Sequence, residues 1–166
     1  KWVSWGQRRA AVRAAFTQRI FETGEPEVLR AMLPAVVAAT LRLKTHQYSG
    51  LNSTSFSIPV TVHENGQHAW TESGATWNTS DGSTAWNGVG ASGSERVQSL
   101  DTTDAEYDST WYEWNVTVAA QAATRAGTSL DFILTSSSTT PVTFYDRGQY
   151  NGMPELVIIY TNGSNA

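Results

Sequence analysis

The chain contains no cysteine, which excludes disulfides, thiolate metal sites and thiol nucleophiles without excluding an extracellular home. Charge is scarce as well: Asp, Glu, Lys and Arg make up 16% of the residues. No apolar run approaches the roughly 18 residues of a membrane span. No signal peptide is visible, and the chain opens at Lys1 without methionine, as a processed or trimmed product would. Catalytic signatures are missing too: there is no His-Glu-x-x-His, Gly-x-Ser-x-Gly elbow, P-loop or dinucleotide fingerprint. Ser, Thr, Gly, Asn and seven Trp fill the space instead, the composition of an exposed β-protein whose surface is polar but uncharged. At 166 residues the chain suits one domain with a sizeable core.

The net charge of −4 hides a division. Residues 1–50 hold eight Lys and Arg against three acids, and residues 51–166 hold three against twelve. Opposite charges on separate segments suit two parts that face each other, within one fold or between neighbouring copies. The basic residues lie within patterned segments of an acidic whole, so a nucleic-acid partner is not expected.

From about Thr40 onward the text reads as strands and turns. Thr40–Thr45 alternates apolar and polar, as does Ser57–Glu64 through Ile58, Val60 and Val62, the mark of half-buried strands. Further strands are expected at Thr110–Val116, Leu130–Thr135, Val142–Asp146 and Leu156–Thr161. Ser73-Gly74 and Asp81-Gly82-Ser83 read as turns, and Asn87–Ser94 reads as a Gly-rich loop. Thr117–Arg125 is Ala-rich, starts on a capping-type Thr and stops at Gly127, which predicts one short helix. The sum is an all-β, jelly-roll-like antiparallel β-sandwich with one short helix, with residues 39–166 as its body. Residues 1–38 form an atypical basic segment within the same single domain. Ser4–Phe21 can be drawn as a basic helix (Val12, Phe16 and Ile20 at spacing four) or as a strand. The β-context favours the strand, with Thr23–Pro26 as a turn and Val28–Leu33 as its partner.

Four motifs then fall in one order: Ala39-Thr40-Leu41-Arg42-Leu43; Val60-x-Val62 leading to Trp70-x-Glu72-x-x-x-Thr76-Trp77-Asn78; Trp114-Asn115-Val116-Thr117; and Pro154-x-Leu156-x-Ile158-x-Tyr160. In these the chain resembles the DNRLRE-type β-sandwich domains, relatives of alginate-binding carbohydrate-binding modules and of disaggregatase-related repeats. Residues 39–160 carry the likeness. The Arg-Phe-Asp-Leu strand usual near the family's start is replaced, and the segment before the last strand reads Tyr145-Asp146-Arg147 where the family often has Ser-Arg/Lys-Glu. The resemblance implies a secreted, cell-surface or virion-borne module without catalytic activity, binding glycans or building outer structures.

The bracketing Trp70 and Trp77 are expected to anchor the sandwich core rather than to offer a sugar platform. Trp86, Tyr107 and Trp111 sit in or near loop-rich polar text and are the better ligand candidates, with Arg147 placed to neutralise an acidic sugar. Asp101, Asp104, Glu106 and Asp108 read as an acidic loop. Asp101, Asp104 and Asp108 are weak Ca²⁺ ligands on paper, but the run lacks the order of a calcium loop, so no cofactor is expected. His63 and His68 would supply two metal ligands at most. Glu64, Glu72, Glu113 and Asp146 are the carboxylates from which a glycosidase pair would have to come, and nothing in the text pairs any two. Sequons at Asn52, Asn78, Asn115 and Asn162 carry little weight in a chain so rich in Ser and Thr. Arg8, Arg9, Arg13 and Arg19 form a candidate assembly patch toward neighbouring subunits, a capsid or a surface layer. The expected function is that of a non-catalytic structural subunit (capsid decoration, head-fibre or surface filament), the alternative being a module that holds an extracellular polysaccharide.

Overall fold

The computed structural model describes the backbone of residues 11–14 and residues 35–46, 57–66, 69–106, 109–140, 142–148 and 151–161 in full. These form β1 (Ala11–Ala14), β2 (Ala35–Lys44), β3 (Ile58–Asn65), β4 (Arg96–Ala105), β5 (Trp111–Asn115), the helix α1 (Thr117–Ala126), β6 (Leu130–Ser136) and β7 (Glu155–Thr161). Every pairing is antiparallel: one sheet runs β1-β6-β3-β4, the other β5-β2-β7. Among the described strands only the β3–β4 connection stays within a sheet. All others cross between sheets, which makes the sandwich jelly-roll-like.

Period-two alternation decides which faces meet. Leu41 and Leu43 of β2, Val60 and Val62 of β3, and Phe132 and Leu134 of β6 all point inward and are buried. Trp114 is fully buried at the centre, and its indole N–H donates to the Val60 carbonyl at 2.8 Å, bonding one sheet to the other. Phe144 closes on it edge-to-face at 5.9 Å.

The helix lies where its alanines predict, with Ala119 and Ala120 buried, and it ends at Gly127 in the left-handed conformation. Thr117 does not cap it. Its hydroxyl accepts from the Ala39 N–H and so staples the helix to β2, while Asn115 Oδ1 receives the Thr117 N–H. No helix among the described residues is long and apolar enough to cross a membrane.

Two sequence expectations about strands change. The acidic segment from Arg96 is a strand, not a loop, because its backbone completes the β3 edge although its side chains carry no apolar alternation. Val142–Asp146 is not a strand; it makes a single bridge, Thr45 to Phe144, and turns where Asp146 accepts the Gly148 N–H. At the N-terminus the favoured strand is present at Ala11–Ala14, where it pairs with β6. The proposed partner Val28–Leu33 and turn Thr23–Pro26 lie outside the described residues. β2 begins at Ala35, so the 38/39 boundary falls inside a strand of the sandwich.

Candidate functional site

The connection between β3 and β4 spans residues 66–95 and folds over the outer face of the four-stranded sheet. Its anchor is Ile133 of β6, which points away from the main core yet is buried, because Trp70, Trp86 and Ala91 pack on it. This second cluster corrects two expectations. The Trp70–Asn78 string packs outside the sandwich core, not within it. Trp86 offers no face to a ligand: it is 8% exposed, and its indole N–H donates to the Thr76 carbonyl at 2.9 Å.

Short-range polar bonds shape the rest of the connection. Asp81 Oδ1 accepts the Ser83 and Thr84 N–H groups, and its carboxylate also receives both hydroxyls. Led by the Thr84 N–H, these bonds hold the Asp81 carboxyl well below the usual carboxylate range. Gly90 sits at φ +68° against the Trp77 ring and donates its N–H to the Trp77 carbonyl at 2.7 Å. Glu95 is buried and accepts from the Gly93 N–H.

Beside the connection, Pro59, Thr61, His63, Arg96, Ser99, Thr135, Ser136 and Ser137 line an open groove of about 430 Å³. Its floor is knit by hydroxyls: Thr61 to Thr102 at 2.8 Å, and His63 Nε2 to Thr135 at 2.9 Å. Among the described residues no carboxylate lines it. The Arg96 guanidinium has no ion-pair or hydrogen-bond partner among the described residues.

The outer face of the three-stranded sheet is different. Arg42 lies between two carboxylates, bonding Glu113 of β5 at 2.8 Å and Glu155 of β7 at 2.7 Å, and its guanidinium rests 5.1 Å over the Trp111 ring. Trp111 is therefore half-covered by the protein's own cation. Beyond Arg42 the face turns apolar: Val157 and Ile159 are 42% and 58% exposed.

The three ligand candidates among the described residues do not converge. Trp86 lies beneath the connection on one face of the sandwich and Trp111 on the opposite face, while Arg147 forms an exposed ion pair with Glu72 at 2.8 Å. Tyr107 lies outside the described residues. A search against protein-family models found no match to the chain, and curated proteins gave none. The Asp101 carboxylate accepts the Asn115 N–H at 2.7 Å and the Thr102 N–H at 2.8 Å, tying β4 to β5. Asp104 sits on β4 and Asp108 lies outside the described residues, among which no cluster of three His, Asp or Glu could hold a metal ion. Arg8, Arg9 and Arg19 lie outside the described residues, as does the side chain of Arg13.

Sequence reasoning missed Arg96 and the outward residues of β7. Arg96 carried no signal, being one base among acids. β7 did carry one: Leu156–Ile159 is apolar at every position, which leaves the outward half of an otherwise alternating strand unexplained.

Proposed function

We propose that this chain is a non-catalytic structural subunit of an extracellular, cell-surface or virion assembly, of the kind its DNRLRE-type motifs suggest, which works by packing against neighbouring subunits. The observation that carries this reading is β7, with Val157, Ile159 and Tyr160 open to solvent beside the ion-paired Glu113–Arg42–Glu155 cluster. Exposed apolar surface of this kind marks an interaction site more than a catalytic one. Three of the four carboxylates considered for glycoside cleavage are engaged in structure: Glu72 with Arg147, Glu113 with Arg42, and Asp146 with the Gly148 N–H.

Light scattering coupled to gel filtration tests the proposal. The chain should self-associate as its concentration rises, and Ile159→Lys should reverse this while leaving the circular dichroism spectrum intact. A chain that stays monomeric at high concentration and is unchanged by Ile159→Lys refutes it.

A second reading, retention of an extracellular polysaccharide, is favoured by the groove. Serine and threonine hydroxyls, an imidazole and an uncommitted guanidinium are groups that hydrogen-bond sugar hydroxyls and acids. Affinity electrophoresis in polyuronate and in neutral dextran gels separates the outcomes. Retardation by either polymer that Arg96→Gln weakens supports this reading, and none in either gel refutes it.

A further inference from the structure

The two flanks of the sandwich are finished differently. Along one, β4 and β5 are joined across the sheets: Asp101 accepts the Asn115 N–H at 2.7 Å, and the Thr103 hydroxyl donates to the Glu113 carbonyl at 2.7 Å. That closes the β5 edge of the three-stranded sheet with side chains. At the other edge, β7 is paired with β2 on one side alone among the described residues. A seven-residue strand with an open row of backbone donors and acceptors is a template for a further strand, and natural edges are normally blunted by charge, proline or a bulge. β7 has none of these after its first residue. It reads Glu155-Leu156-Val157-Ile158-Ile159-Tyr160-Thr161, and the irregularity in its ladder lies on β2, between Val36 and Ala38.

We propose that β7 pairs antiparallel with β7 of a second copy of this chain, joining two three-stranded sheets into one of six. The proposal rests on the structural reading above and names its partner and geometry. Charge selects the direction. In a parallel pair the two Glu155 carboxylates would stand side by side, and like charges directly opposite on neighbouring strands repel. In an antiparallel pair they lie at opposite ends, each facing Thr161 of the other copy and each already held by its own Arg42 at 2.7 Å. Full overlap centres the two-fold axis on Ile158. Val157 then faces Ile159 of the second copy, twice, on the outer surface, and Leu156 faces Tyr160 on the inner one. Two solvent-exposed apolar pairs are covered while the ladder gains its missing partner, a self-complementary arrangement that closes on itself and stops at two copies.

The absence of cysteine makes the test direct. Glu155→Cys and Thr161→Cys are prepared separately, then oxidised alone and as a mixture, and read on a non-reducing gel. Across the proposed pair, position 155 meets position 161, whereas two copies of position 155 lie about 20 Å apart, beyond the roughly 7 Å Cα separation a disulfide spans. The expected result is a cross-linked dimer in the mixture and little in either variant alone. Efficient cross-linking of either variant with itself overturns the antiparallel register, and no cross-linking in any tube overturns pairing through β7. Light scattering on the unaltered chain keeps the two failures apart. Self-association without the mixed cross-link sinks the β7 geometry and spares the assembly reading, whereas a monomer sinks both.

Discussion

The second cluster makes the long connection a unit with its own anchor, and Ile133→Ala tests that. Ile133 is 2% exposed and holds Trp70, Trp86 and Ala91 from the sheet side. Removing three buried carbons at such a site costs about 2–5 kcal/mol. The sandwich core is contributed by the opposite face of the same strand, through Leu130, Phe132 and Leu134, so the loss should fall on the docking of residues 66–95. At about 1.4 kcal/mol per tenfold, the low end of that range opens the connection about 30-fold more often. Native-state hydrogen exchange followed by mass spectrometry reads this through the amides of Ser80, Trp86 and Gly90, which bond only within the connection. The Val116 N–H, bonded to the Ala39 carbonyl in the main body, is the control. Exchange in the connection should rise by at least about 30-fold relative to Val116. Equal acceleration at both places would show one cooperative unit, and no acceleration would show that Ile133 does not hold the cluster; either result refutes the reasoning.

Other perturbations have separate signatures. Trp114→Ala should destabilise the whole domain by about 3–5 kcal/mol, a large share of the 5–15 kcal/mol typical of a domain, seen as a lower midpoint in urea with all probes moving together. Gly90→Ala meets the Trp77 ring with 2.6 Å to its nearest carbon and keeps φ positive; the backbone alone costs about 1–2 kcal/mol, so the melting temperature falls and tryptophan emission changes. Asp81 has its carboxyl pKa lowered in the folded state. Its contribution is therefore complete above the ordinary carboxylate range and disappears as pH falls through the depressed folded value. Asp81→Asn should lower the melting temperature at neutral pH, with the gap from the parent narrowing in strong acid; a gap independent of pH would show that the carboxylate's charge is not what holds the turn.

Much of the sandwich was legible because apolar residues two positions apart mark its inward faces. Leu41 and Leu43, Val60 and Val62, and Phe132 and Leu134 each mark a buried face two residues apart, and Gly127 marks the helix stop. β4 was not legible. Its Thr and Asp side chains point to solvent or bond across to β5, so the strand exists through backbone pairing that no side-chain period records. Trp86 misled for a related reason: its text is polar, but its indole is covered by a tertiary contact with Ile133, 47 positions later. Of the candidate surfaces, the apolar stripe on β7 was readable in Val157 and Ile159. The groove was not, since its lining residues lie far apart in the sequence.

The pairing of Ala11–Ala14 with Leu130–Ile133 sets an order of events during synthesis. The first strand emerges from the ribosome long before the strand it must join, and β2 likewise waits for β5 and β7 on either side. Contacts of such long sequence separation make folding slow and leave apolar strands unpaired in the interim. Growing chains are thus most vulnerable to premature sticking before residue 130 appears. Cells expressing the chain should gain more soluble product from slower elongation or holdase chaperones than from any change confined to the finished surface.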